Sequence, residues 1–337
     1  MKLNWKHYIS ILLIITALIF EWFIIGKIYW WNVAASVPSI FLFVLPIIIL
    51  ILSIKEKKKL FFIFSSIILL FIIIPKTDIN PYALQVQKDV DDTAIKVMGW
   101  NTDLWDMRDE YDGLYEFLVS MDQDIYILQE YEYSDNWVPY FIDRFDEIKS
   151  HFPDYEILTS NQYVIISKYP IIDHELSETT QVLMAKLDIE GQETTVIDVH
   201  IRPHVDLGNS IFTSIFWDYA KVRHILRTKG FREIEDYMAQ AEGNPIIVTG
   251  DFNTTKFMGG LENISGQLED TIKYYDKFLT NTWERDGRFL WRIDYFFVND
   301  EIEVLSYDTV TNTKLSDHRA MFVILRLKDN KKVASEL

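Results

Sequence analysis

Hydrophobic positions change period once along this chain, near residue 76. Before it, apolar residues run almost unbroken from Tyr8 to Ile25, Val33 to Ser53 and Leu60 to Ile74, separated by Lys27 and by Lys55-Glu56-Lys57-Lys58-Lys59. Crossing a hydrocarbon core takes about 20 helical residues, so the pattern predicts a membrane anchor over 1–76 with three transmembrane helices at about 8–26, 33–54 and 60–75. The third run is the shortest and reaches span length only with Pro75 and snorkelling lysines. A secretory signal peptide is the rival for the first run, but its apolar stretch exceeds the usual ~7–15 residues and two more follow. Residues 77–93 are polar, hold Pro81, Asp89, Asp91 and Asp92, and read as a linker.

From Ala94 the period shortens to that of strands. Ile95 to Trp100, Ile125 to Leu128, Val164 to Ser167, Val182 to Leu187, Thr194 to His200, Ile246 to Thr249, Ile293 to Val298 and Ala320 to Leu327 are rich in β-branched and aromatic residues. Helices are expected over Asp112 to Met121 and over Ser210 to about Ala241, with a break at Gly230. Alternation of the two predicts an α/β domain over 94–328, followed by a polar tail at 329–337.

Charge sharpens the division. The first 76 residues hold eight Lys and two acids, leaving 25 basic and 48 acidic residues, a net of −23, from Thr77 onward. Such a domain disfavours binding along a nucleic-acid backbone and is repelled by anionic lipid surfaces. Lys2, Lys6 and the four lysines of the second connection place the N-terminus in the cytoplasm; three spans then put the acidic domain outside the cell membrane, whereas a third run that is only interfacial puts it in the cytoplasm. Glu21 within the first run reads as an interfacial carboxylate near Trp22 and Lys27, and Tyr29-Trp30-Trp31 as an aromatic belt. The chain has no Cys, which excludes disulfides, thiolate metal sites and Cys nucleophiles.

Most of the predicted strands stop on a carboxylate, amide or imidazole. Asn101, Glu130 after Leu128-Gln129, His200, Asp251 and Asn253 in Gly250-Asp251-Phe252-Asn253, Asp294 in Ile293-Asp294-Tyr295, and Asp317 and His318 after Ser316 occupy these ends. With Ser167-Lys168-Tyr169-Pro170 they follow one another in an order that resembles the endonuclease/exonuclease/phosphatase superfamily, over roughly Ala94 to Leu327. The resemblance implies a four-layer α/β sandwich, two packed mixed sheets flanked by helices, and Mg²⁺-assisted attack of water on a phosphate ester.

Phosphate-ester hydrolysis needs a hard cation held by oxygen ligands, which suits Glu130 with Asn101 and Asp317 beside it; Mn²⁺ fits as well as Mg²⁺. Asp251 suits the water-orienting base, and Asn253 can donate to a phosphoryl oxygen. His200 and His318 are candidates for donating to phosphoryl oxygens or protonating the leaving group, and the family pattern makes Asp294 the carboxylate that orients His318. The Thr102-Asp103-Leu104-Trp105 loop adds an acid that either joins the cation site or caps a helix. Lys221, Arg223 and Arg227 read as a solvated helix face, His151, His174, His204 and His224 as bystanders, and Trp217, Trp283, Trp291 and Phe289 as core or rim. The expected activity is a membrane-anchored, metal-dependent phosphoesterase on a phosphodiester or phosphomonoester, with a lipid headgroup favoured. An external nuclease and a non-catalytic binding module on the same fold are the alternatives.

Overall fold

The computed structural model describes residues 3–84, 94–108, 113–136, 138–205 and 208–328. Part of the expected linker and the tail at 329–337 lie outside the described residues. The chain falls into two compact units, one of Met1–Ile79, Pro203–His224 and Thr254–Gly260, the other of Asn80–Arg202, Ile225–Asn253 and Leu261–Leu337.

In the first unit, α1 (Trp5–Phe23), α2 (Tyr29–Ala34), α3 (Val44–Leu52) and α4 (Lys59–Ile73) carry the apolar runs. Among the described residues, two helices are long and apolar enough to cross a membrane, Trp5–Phe23 and Lys59–Lys76. The expected second span does not form one long helix. Pro38 interrupts it after α2, a 3₁₀ turn at Ser39–Phe43 follows, and the remaining apolar helix, Ser39–Leu52, falls short of span length. The third run, the weakest by sequence, is instead a full-length helix, because Ile74–Lys76 extends α4 by a 3₁₀ turn. Legs run alternately up and down. Asn4 Nδ2 donates to Glu56 at 3.1 Å and Lys6 pairs with Glu56 at 3.1 Å at one end, while Lys76 pairs with Glu21 at 3.0 Å and Ser39 Oγ donates to Asp78 at 2.7 Å at the other. Glu21 thus has Lys76 as its partner, and Lys27 turns to the Trp22 carbonyl. The segments 203–224 and 254–260 join that second end: Gly26 N donates to Met258 O at 3.0 Å, His204 lies 2.5 Å from Ser36 Oγ, and Trp217 packs edge-on against Tyr29.

The second unit contains strands β1 (Ile95–Asn101), β2 (Ile125–Gln129), β3 (Glu132–Asp135), β4 (Val138–Phe141), β5 (Glu156–Ser160), β6 (Tyr163–Ser167), β7 (Ile171–Leu176) and β8 (Val182–Ile189). They are followed by β9 (Gln192–His200), β10 (Ile246–Asp251), β11 (Glu269–Asp270), β12 (Trp283–Arg285), β13 (Arg288–Trp291), β14 (Asp294–Val298), β15 (Ile302–Val310) and β16 (Ala320–Leu327). One six-stranded sheet has the order β15-β16-β1-β2-β6-β5, the other β11-β14-β10-β9-β8-β7; β3-β4 and β12-β13 are separate hairpins. Both sheets are mixed, with β1 parallel to β2 and β9 parallel to β10 among antiparallel neighbours.

Alternation along each strand builds the layers. Val97, Ile127, Ile165, Leu183, Val196, Ile247 and Phe296 fill the space between the sheets. Met98, Trp100, Tyr126 and Leu128 turn outward onto Leu114 and Leu118 of α5 (Gly113–Ser120) and Ile148 of α6 (Phe145–His151). On the far side Ile197, Ile246 and Val248 meet Phe231, Ile234 and Met238 of α7 (Ser214–Gln240). The sheets and helices therefore form the expected α/β sandwich of two mixed sheets flanked by helices. The anticipated break at Gly230 is absent: α7 runs through it, and a side chain there would meet Gln181 Nε2 at 2.8 Å, so the missing Cβ serves close packing on the sheet.

Candidate functional site

The inward face of the sandwich becomes polar in steps toward one rim. Val97, Ile127, Val196 and Ile247 are apolar; two residues on, Gly99, Gln129, Asp198 and Thr249 form a buried layer in which Gln129 Nε2 donates to Asp198 Oδ1 at 2.6 Å. Burial holds the Asp198 carboxyl well above its ordinary value, so it is a neutral hydrogen-bonding group between the sheets. A further two residues bring Asn101, His200 and Asp251 to the rim. Register completes the convergence, with Asp251 opposite His200 on β9 and opposite Asp294 on β14.

Turn geometry after the strands aims the remaining groups. Glu130 leaves β2 with φ of 63° and Asn253 follows β10 with φ of 46°, both left-handed. Gly250 has φ of 137°, and a Cβ there would stand 2.0 Å from Val199 O, so only glycine fits ahead of Asp251. Ser316 Oγ donates to Asn101 O at 2.7 Å and accepts from His318 N at 2.9 Å, tying the loop before β16 to the end of β1.

At the centre, Asp251 Oδ2 accepts from Asn101 Nδ2 at 3.1 Å and Asn253 Nδ2 at 2.9 Å, while its Oδ1 accepts from Asn253 N at 2.7 Å. Asn101 Nδ2 also reaches Glu130 Oε1 at 2.9 Å, and Glu130 Oε2 accepts from Leu104 N at 3.0 Å. His318 Nδ1 sits 2.9 and 3.0 Å from the two Asp294 oxygens, and its Nε2 is 3.8 Å from Asp251 Oδ2. Across the cleft, His200 Nε2 lies 3.6 Å from Glu130 Oε1 and 3.8 Å from Asp251 Oδ2. Asp317 Oδ1 is 3.6 Å from His318 Nε2. All eight expected site residues therefore share one cluster, and none lies elsewhere.

Electrostatics divides the imidazoles. Burial would push His318 down, but Asp294, with Asp251 and Asp317 behind it, outweighs burial and holds the ring well above its usual value, as imidazolium. His200 is pushed down by burial despite Glu130, and its Nδ1 faces Gln162 Oε1 at 2.6 Å. Burial raises Asp251 to about 8, with Asp294 and Glu130 adding to the rise and His318 opposing it.

Three residues near the site were not among the expected eight. Asp103 is raised to about 7 by burial and then by Asp317 and Glu130, which places it in the acidic group; it pairs with Arg108 and caps no helix among the described residues. Trp283, read as core or rim, donates from Nε1 to Asp317 Oδ2 at 3.0 Å. Gln162 positions His200 from the turn after β5, where no sequence signal marks it. Arg227, expected on a solvated face, is buried and donates to Arg202 O at 2.6 Å.

The donor set fits a hard cation. Glu130, Asp317 and Asp103 are oxygen donors, and the charges of Asp317 and Glu130 add to burial in raising Asp103, an arrangement that a divalent ion relieves. Ligand atoms of Asp251, Asp294 and His318 also lie within 4.8 Å of one another. The Nδ1 contact between His318 and Asp294 already commits that pair to each other, so the Glu130 side is the better cradle.

Two sheets, an acidic rim and a charged His–Asp pair define a hydrolase of phosphate esters as the class of protein. The chain belongs to the endonuclease/exonuclease/phosphatase family, whose pattern matches residues 98–318, and members of this family are phosphoester hydrolases. In fold it is similar to the endonuclease/exonuclease/phosphatase from Bacteroides vulgatus, at a TM-score of 0.53 and 19% identity over 70% of this chain and 100% of that one. It is likewise similar to a humanized D. rerio TDP2 with 14 mutations, at 0.52 and 16% over 70% of this chain and 100% of that one. The family protein from Bacteroides thetaiotaomicron gives 0.51 and 19% over 71% and 100%. No curated protein matches the chain.

Proposed function

We propose that this protein is a membrane-anchored, divalent-cation-dependent phosphodiesterase acting on a lipid headgroup. The observation that carries the chemistry is the meeting of Asp251, Asn253, Asn101 and Glu130 with the His318–Asp294 pair in one buried rim. Asp251, fixed by three donors, orients a water and takes its proton as the oxygen attacks phosphorus. His318, charged and held by Asp294, donates to a phosphoryl oxygen, and Asn253 supplies a further donor. The departing oxygen takes its proton from His318, the imidazole that already carries one, while neutral His200 presents Nε2 to the same space from β9. Glu130, Asp317 and Asn101, with Asp103 beside them, would hold Mg²⁺ or Mn²⁺, which neutralises charge on the phosphoryl group when bound.

Two features support the membrane and lipid part. The Trp5–Phe23 and Lys59–Lys76 helices have the length and hydropathy of spans, and the segments following Arg202 and Asn253 in the chain belong to the unit that contains those helices. The net charge of −23 beyond residue 76 works against nucleic acid. A cytoplasmic N-terminus, expected from the lysine bias, together with a second leg that crosses as a short segment, would favour a catalytic domain on the outer side.

The test uses the full chain in mild detergent with bis-p-nitrophenyl phosphate, with Mg²⁺, Mn²⁺ or EDTA. Turnover that needs the cation is expected, and turnover indifferent to EDTA would sink the mechanism. Phospholipid vesicles and plasmid DNA are then compared at equal enzyme. Release of a phosphorylated headgroup is expected, and cleavage of DNA alone assigns the nuclease reading instead.

A further inference from the structure

A partly open cavity of about 240 Å³ lies among α1, the Ser39–Leu52 leg and α4, with Phe257 on one wall. Its lining is almost wholly apolar, from Leu13 and Leu45 to Trp31. Charge enters through Glu21 and Lys76 alone, which pair at 3.0 Å. Leu13 stands two helical turns before Glu21 on α1, about 12 Å along the axis, so the cavity is polar at one end and oily in its depth.

We infer that this is a lipid site, which takes one acyl chain of a membrane phospholipid past Ala17 toward Leu13 and sets the phosphate of its headgroup against Lys76. Size and chemistry select that occupant. A helix with its side chains is about 10–12 Å across and does not fit. Beyond Thr16, Glu21 and Lys76 the walls offer water no polar side chain, whereas an apolar cavity of about 150 Å³ already takes up benzene. A slender tail with a charged head satisfies both ends, and its methylenes restore dispersion contacts that facing walls otherwise forfeit. Trp31 Nε1 donates to Phe257 O at 2.9 Å and the two rings meet at 4.9 Å, so the wall is fixed rather than a loose gap. The inference rests on the membrane-anchored part of the proposed function and is independent of which ester is hydrolysed.

Native mass spectrometry of the full chain in detergent, titrated with dioleoyl phosphatidylethanolamine, reads occupancy directly. The wild type is expected to retain one lipid per chain through delipidation. Ala17→Phe and Leu45→Trp, which fill the cavity from two different legs, should each weaken retention at least tenfold. Ile19→Phe, on an exposed face of α1, should not, and circular dichroism melting confirms that each variant is folded. Unchanged retention in both filled variants, or no retained lipid in a wild type that inserts into vesicles, overturns the site while leaving the membrane reading intact. A chain that fails to insert into vesicles at all removes both. Lipid retention without lipid hydrolysis keeps the site and rejects only the substrate.

Discussion

Asp251 and Asp198 are two buried carboxyls of opposite purpose, on adjacent parallel strands. Asp251 is held by Asn101 and Asn253 at the rim, where a proton acceptor can meet water. Asp251→Asn should lower kcat on a soluble phosphodiester by about 10²–10⁴, the usual worth of a positioned base, with a cooperative melt preserved; a loss below tenfold would remove Asp251 from the proton-transfer role. Asp198 lies one layer deeper, with Gln129 as its partner. Its folded value is raised above the ordinary 3.8, so the unfolded chain releases this proton first as pH rises. Stability from this group is full below about pH 4 and declines as pH climbs through the raised value, by at most about 1.4 kcal/mol per pH unit. Asp198→Asn keeps an acceptor for Gln129 and has no proton to lose. Its Tm should exceed that of the wild type increasingly from pH 5 to 8 and converge with it near pH 4, as measured by differential scanning calorimetry. Asp198→Leu, which removes the nearer of the two acceptors of Gln129 Nε2 and leaves it Ile127 O at 3.3 Å, should cost about 1–3 kcal/mol.

At the scale of elements, strand ends do the assembling. Gly250 lets β10 pass Val199 O with φ of 137° and then release Asp251 and Asn253 toward the cleft. Gly250→Ala adds both a steric clash and a strained φ, worth about 3 kcal/mol or more together. At roughly 2–4 °C per kcal/mol for a domain of this size, Tm should fall by at least about 6 °C in a thermal melt; a shift under 2 °C would contradict the close approach. Strand-end chemistry is local, which is why the eight site residues and the central strands were legible in sequence. β15 was not, because Ser306 and Asp308 interrupt its apolar pattern and its pairing slips between Val304 and Ser306. Edge strand β7 was hidden by Asp173-His174-Glu175, which face solvent where alternation carries no signal. Gln162 escaped notice, Asp103 was left between cation site and helix cap, and Trp283 was read as packing for another reason: each acts from a turn, loop or hairpin whose partner is chosen only when distant segments meet. The second apolar run misled in the opposite direction, since hydropathy counts residues without registering that Pro38 ends one helix before the next begins.

For the whole molecule, the contacts at the two ends of the helical unit fix how often the chain passes along it. Asn4 and Lys6 meet Glu56 at one end, and Glu21 meets Lys76 at the other, so the chain passes from end to end three times before Thr77 even though only two legs have full span length. The short middle leg is tolerable in a bilayer that thins locally, at a modest cost per ångström of mismatch. Counting only long helices would place Lys55, Lys57, Lys58 and Lys59 outside, against the bias that keeps lysines cytoplasmic. Under the proposed three-leg anchor they stay inside with Lys2 and Lys6, and the acidic domain is expected on the outer face. Because the chain has no Cys, single cysteines report their side without background. Lys57→Cys and Glu178→Cys, both at exposed positions, are treated in intact cells with a membrane-impermeant maleimide. Cysteine at 178 should label fully and cysteine at 57 only after permeabilisation. Labelling of 57 in intact cells with protection of 178 would put the domain on the cytoplasmic side, through either an inverted three-leg anchor or a second apolar segment that stays outside.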